Sequence, residues 1–178
     1  MKRIVVGIAL CVAVAAPALT LAQSCSASGG PGSCNVPATA SMTTGRVVRL
    51  QMSAGSTALA APTTSDFDAG FNSTTGPSLT MSANAPWTLY IRAGSSVWSA
   101  TNTSPGAPAR VNKPAADLKW STAAAGSFVP LSITDASLAT GSATASAATT
   151  LYFQTLYDWT VDSPGNYSLT VVLTLTAP

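Results

Sequence analysis

From Leu151 onward the chain alternates apolar and polar positions. Leu151, Phe153, Tyr157, Trp159 and Val161 share one parity, while Gln154, Asp158 and Thr160 take the other. After the run from Asp162 to Asn166 the alternation resumes, with Tyr167, Leu169, Val171, Leu173 and Leu175 set against Ser168, Thr170, Thr174 and Thr176. A period of two, sustained over about ten residues on each side, marks half-buried strands rather than helix. Ser163, Pro164, Gly165 and Asn166 supply turn chemistry, since proline presets φ and glycine accepts the positive φ of a type II turn. The pattern predicts a long antiparallel hairpin closing the chain, with one apolar face. Burying about ten such side chains contributes on the order of 15–25 kcal/mol before chain entropy is subtracted, so a second layer must cover that face.

The same period predicts further strands upstream. Val48, Leu50 and Met52 oppose Arg49 and Gln51. Leu79 and Met81 point inward from a strand over 78–83, and after Asn84, Ala85 and Pro86 the residues Trp87, Leu89 and Ile91 alternate with Thr88, Tyr90 and Arg92. Two strands with a short Asn/Pro link read as a second hairpin. Leu118 and Trp120, then Val129, Leu131 and Ile133, mark two more short strands. Residues 55–76 read as mostly loop, 94–116 as a long aperiodic loop carrying Trp98, and the Ala/Ser/Thr-rich stretch 136–149 as loop. About seven strands and no convincing helix predict an all-β fold, an immunoglobulin-like antiparallel β-sandwich over residues 45–178.

The start of the chain has a different character. Lys2 and Arg3 precede an apolar run from Ile4 to Ala16, followed by Pro17 and small residues up to Ala22. A basic start, an apolar run too short to span a bilayer and a small-residue end read as a secretory signal peptide over 1–22. Removing it leaves about 155 residues, one domain on the usual size scale. It also removes Cys11, so Cys25 and Cys34 remain as an even pair, expected to form a disulfide in an exported chain. They lie in a flexible Ser/Gly/Pro-rich arm over 23–44, where Val36, Ala38, Ala40 and Met42 alternate weakly, as an edge strand or a tether would.

The remaining charges balance: Arg46, Arg49, Arg92, Arg110, Lys113 and Lys119 against Asp66, Asp68, Asp117, Asp135, Asp158 and Asp162. Without clustered Lys and Arg there is no footprint for nucleic acid. Low charge also weakens the protection of sheet edges against association.

Histidine and glutamate are absent from the chain. That removes the usual triad base, the commonest metal ligand and the usual proton shuttle near neutral pH. Asp66 with Asp68, and Asp158 with Asp162, are the close carboxylate pairs, and both read as turn caps or solvated charges rather than a glycosidase pair. The spacing of Asp66 and Asp68 is not that of an EF-hand, and no metal or cofactor is expected. Trp87 and Trp159 lie on apolar parities and read as core. Trp98, in the long loop, is the candidate for an exposed aromatic contact, with Arg92 and Arg110 as candidate polar contacts. Sequons at Asn72, Asn102 and Asn166 match glycosylation acceptors, a pattern that arises readily in a Ser/Thr-rich chain.

The run from Asn84 through Trp87, Thr88 and Leu89, and the closing stretch from Gly165 to Pro178, resemble secreted bacterial immunoglobulin-like surface proteins, among them wall-associated domains with Trp-x-Leu motifs. Trp87-Thr88-Leu89 fits one such motif, whereas Leu173 stands where that family places a second tryptophan. Pilin-like secreted sandwiches match in pattern alone. The resemblance covers about the second half of the chain and implies a surface or wall-associated role.

Together these readings predict a protein secreted or held at the cell surface, the periplasm included, and not an enzyme. Its expected role is that of a structural or adhesive component of a bacterial surface or extracellular fibre, with itself or other surface proteins as partners. The alternative is a module that binds a glycan or cell-wall polymer through the loop around Trp98. After signal removal no stretch is long and apolar enough to span a membrane.

Overall fold

In the computed structural model the structure describes residues 25–26, 28–31, 33–36, 39–103 and 108–178. The stretch read as a signal peptide lies outside the described residues. The chain divides into two units, Met1–Thr43 and Thr44–Pro178. Among the described residues of the first, Cys25 and Cys34 are paired at disulfide distance, with Cα atoms 5.8 Å apart. The weak strand expected around Val36 and Met42 is not formed by residues 39–42, and residues 37–38 lie outside the described set.

The second unit is all-β and sandwich-like, with ten strands among its described residues where about seven were expected. In chain order they are β1 (Val48–Met52), β2 (Phe71–Ala83), β3 (Trp87–Ala93), β4 (Ser99–Asn102), β5 (Leu118–Ser121), β6 (Val129–Pro130), β7 (Ala136–Gly141), β8 (Thr144–Leu156), β9 (Gly165–Ser168) and β10 (Val171–Thr176). One short helix, α1 (Thr64–Ala69), and a 3-10 turn at Ala115–Asp117 interrupt them. A five-stranded sheet runs β1-β2-β8-β5-β6, a three-stranded sheet β10-β3-β7, and β4 pairs with β9 as a separate ribbon.

Both expected hairpins are corrected. β2 and β3, joined by Asn84, Ala85 and Pro86, lie in different sheets, and so do β8 and β10. Each link is an arch between sheets. Alternation is the same in a hairpin and in an arch, since either puts one parity inward. Only the pairing separates them: β3 takes Val171–Thr176 of β10 along one edge and Ala136–Gly141 of β7 along the other. β8 is held instead between β2 and β5, with Trp120 opposite Phe153 and Leu118 opposite Thr155. The amide of Asn84 stabilises the first arch by accepting from the Val47 N–H at 2.8 Å and donating to the Gly45 carbonyl at 2.8 Å.

The two sheets bury the parities read from the sequence. Leu79, Met81, Leu118, Trp120, Leu151 and Phe153 from the larger sheet, with Trp87, Leu89, Ile91 and Leu138 from the smaller, form one core. Each fully buried aliphatic among them contributes about 1.5–3 kcal/mol. Each of the three stretches read as loop contains strand: residues 71–76 open β2, β4 lies within 94–116, and 136–149 holds β7 and the first half of β8, which pairs with residues 78–83 of β2. The Ala, Ser and Thr of β7 and early β8 give little hydrophobic contrast, so the period is faint although both strands are paired, each with a register shift along its ladder. Gly141, at the end of β7, faces Trp87 so closely that a Cβ there would lie 2.6 Å from the indole ring. The strand expected through Val129, Leu131 and Ile133 shortens to β6, with Leu131 buried and Ile133 exposed.

The stretch before β2 also departs from the loop reading. Thr63 caps α1, its hydroxyl accepting from the Asp66 N–H while the Asp66 carboxylate accepts from the Thr63 N–H. This reciprocal pair satisfies two otherwise orphaned donors. Gly70 then ends the helix at φ 78°, the left-handed conformation that costs glycine least.

Candidate binding groove

The last buried residue of β8 is Thr155, and beyond Leu156 the chain leaves the sheet. Trp159 and Val161, expected in the core on parity, are 59% and 48% exposed. The reason is the turn that follows. Asp158 accepts from both the N–H and the hydroxyl of Thr160, at 2.7 and 2.6 Å, and the Asp162 N–H closes on the Asp158 carbonyl at 3.0 Å. The Asp162 carboxylate in turn accepts from the Asp158 N–H at 3.0 Å. An aspartate bonding to the backbone two residues on is a turn former that competes with the ladder.

This turn presents Trp159 over α1. The indole ring lies 4.6 Å from the Phe67 ring at a 32° tilt, and Phe67 lies 5.4 Å from Tyr157 at 41°. The Trp159 indole N–H donates to the Asp68 carboxylate at 3.1 Å. A helix of six residues thus supplies both a ring for Trp159 to pack on and an acceptor that fixes its rotation. Asp66 and Asp68, read as turn caps or solvated charges, divide the work: Asp66 caps, and Asp68 orients the tryptophan.

The aromatic group forms one wall of a cleft of about 930 Å³, bounded also by Leu59–Pro62, Lys113 and the segment from Thr160 to Tyr167. Beneath it sits an ionic cluster. The Lys113 ammonium is 3% exposed and donates to Asp162 at 3.0 Å, to Asp117 at 3.1 Å and to the Leu156 carbonyl at 2.8 Å. Three acceptor groups match its three N–H bonds. The Arg110 guanidinium completes the group at 3.0 Å from Asp162 and 3.5 Å from Asp117. Two cations and two anions therefore cancel. Tyr167 of β9 adds a neutral clasp, its phenol donating to the Ser163 carbonyl at 2.6 Å and accepting from the Arg110 N–H at 2.9 Å. These bonds tie residues 108–117 to the turn that carries Trp159.

Hydrogen bonds set the titration of the groove's edge. Those from the Thr160 hydroxyl and then its N–H hold the Asp158 carboxyl below the usual aspartate value. The Thr63 backbone, and then its side chain, do the same for Asp66. Burial pushes the Tyr157 phenol up. No titratable side chain at the groove is a histidine, and its aspartate, Asp162, is engaged by Lys113 and Arg110.

The sequence-expected residues are distributed as follows. Trp98 is not an exposed contact: it is 4% exposed, its indole N–H donates to the Pro114 carbonyl at 3.0 Å, and it lines the inner side of the cleft. It is held there because the loop 94–116 is partly ordered by the β4–β9 ribbon and a Val97–Pro114 bridge. Arg110 lies under the groove within the ionic cluster. Arg92 lies on β3, pairs with Asp135 at 3.5 Å near the surface and does not line the cleft. Trp159, Phe67, Tyr157 and Asp68 were not singled out as a site. The signal was present in Asp158, Thr160, Asp162 and Pro164, turn formers that crowd around Trp159 and argue against extending the strand past Leu156.

Among the described residues no helix is long and apolar enough to cross a membrane. No protein-family model matches the chain, and no curated protein matches it.

Proposed function

We propose that this chain is an exported, non-enzymatic surface protein that adheres by holding a glycan against Trp159. The observation that carries the reading is an indole 59% exposed yet fixed, by the Phe67 ring against it and by the Asp68 carboxylate at its N–H edge. Exposed tryptophan offers a large apolar face to the C–H face of a pyranose ring. A ring already immobilised loses little further freedom on binding, and this preorganisation favours affinity. The cleft beside it has the volume of a small-molecule site and flanks it with hydroxyl and amide groups of Thr160, Ser163 and Asn166. This relocates the aromatic contact from the Trp98 loop to the turn after β8.

The test is retention of the chain on insoluble polysaccharides. Trp159→Ala should abolish retention with a melting temperature close to that of the parent, because the side chain is mostly outside the core. Trp159→Phe should keep part of it. Retention unchanged in Trp159→Ala would sink the reading.

A second reading, self-association as a structural component of a fibre, is favoured by β1. This strand is one edge of the five-stranded sheet, and its Val48 and Met52 are 40% and 45% exposed. An exposed edge with apolar side chains is a template for another strand, including the arm 23–44 of a neighbouring copy. Light scattering would separate the two, since a concentration-independent monomer excludes the fibre.

A further inference from the structure

We infer that the groove selects uncharged sugar polymers over anionic ones; this rests on the glycan reading above and adds the ligand's charge class. Among the described residues the lining of the cleft contains a single cationic side chain, Lys113, which is 3% exposed with its donors directed at Asp162, Asp117 and the Leu156 carbonyl. The nearest second cation, Arg110, is committed to the same two carboxylates. The residues that frame the tryptophan carry the opposite sign. Asp68 bonds the indole directly, Asp158 precedes it in the turn, and Asp66 stands two residues before Asp68 in α1, next to Phe67. Both Asp66 and Asp158 are stabilised in the ionised form by their hydrogen bonds.

A polymer bearing carboxylate or phosphate groups needs a cation at the groove to offset the loss of its hydration. Here each cation is neutralised, and the carboxylates beside the tryptophan repel. The apolar face of a neutral pyranose meets no such penalty, because its contact is with the indole and its hydroxyls can donate to the Thr160 and Ser163 oxygens, whose own protons go to Asp158 and the Pro108 carbonyl, and meet the Asn166 amide. The repulsion acts between exposed charges, so salt must weaken it, with a screening length of about 10 Å at 0.1 M.

The test uses paired polymers that share a backbone and differ in whether their substituents are charged. The full chain is run by affinity electrophoresis, at low ionic strength, through gels containing hydroxyethyl cellulose or carboxymethyl cellulose, and dextran or dextran sulfate. The expected result is retardation by a neutral member at least tenfold stronger than by its anionic partner, the gap narrowing at about 0.5 M NaCl. In the double variant Asp68→Asn with Asp158→Asn, the anionic-to-neutral ratio should rise several-fold, since asparagine keeps an acceptor for the indole but removes the charge. Equal or stronger retardation by the anionic member would overturn the inference while leaving the glycan reading in place. If neither member retards the chain and Trp159→Ala migrates as the parent does, both fall together.

Discussion

Replacing Lys113 with methionine removes the ammonium at the centre of the ionic cluster and keeps most of its aliphatic stem. Asp162, with a side chain 7% exposed, would then rely on Arg110 at 3.0 Å, and the Leu156 carbonyl would lose its 2.8 Å partner. Deleting one member of a buried ion pair costs about 3–5 kcal/mol, because the remaining charge is left uncompensated. Arg110 offsets part of this, and Asp117 is open enough to recruit water, so a loss of about 2–4 kcal/mol is expected. For a unit of this size that lowers Tm by on the order of 10 °C. The assay is thermal and urea unfolding of the oxidised protein followed by tryptophan emission, for Lys113→Met, Asp162→Asn and the double variant. Asp162→Asn should cost less in the Lys113→Met background than alone, because the carboxylate removed there has already lost its main partner. Because the cluster anchors the turn around Trp159, polymer retention should fall even below the melting transition. A loss under about 0.5 kcal/mol for Lys113→Met would place the pair with exposed surface bridges and refute the buried-latch reasoning.

Two other outcomes follow from single groups. Trp120 carries the one buried side-chain nitrogen without a hydrogen-bond partner among the described residues, whereas the Trp98 nitrogen bonds Pro114. Trp120→Phe should therefore cost less than Trp98→Phe by about 0.5–1.5 kcal/mol, measured as urea midpoints, since only the second removes a hydrogen bond, the Pro114 carbonyl keeping the Asp117 N–H; the reverse order would contradict these environments. The pH dependence has a definite sign. Asp66 and Asp158 titrate below the usual aspartate value, so their contribution to the helix cap and to the turn is present above the unfolded-state pKa. It is lost as pH falls through the folded one. Polymer retention should be flat from about pH 8 to 5 and decline below about pH 4. A midpoint near pH 6–7 would refute this, because the chain has no histidine.

Period-two alternation sufficed for the strand cores of β1, β3 and β5 and for the inward faces of Leu79, Met81, Leu89, Ile91, Leu118, Trp120, Leu151 and Phe153. Side-chain parity is a local property of extended backbone, and so it is written in consecutive residues. The same logic made the all-β class legible. Strand partners were not legible: an arch and a hairpin carry identical alternation, and the choice lies in ladder bonds between residues far apart, such as Val171 with Ala93. The low-contrast strands β7 and early β8 form because neighbouring strands complete their hydrogen bonds, not because their own side chains demand burial. The groove shows the same division. Sequence alone supplied some of its parts, an aspartate-rich turn and a tryptophan, each with a bland local reading, whereas the capped helix α1 had read as loop. Only the tertiary structure brought Asp68 to Trp159, 91 positions away, and Lys113 to Asp162, 49 positions away. The physical reason is that a binding surface depends on which residues the packed sheets leave uncovered, and that is decided by the whole fold at once.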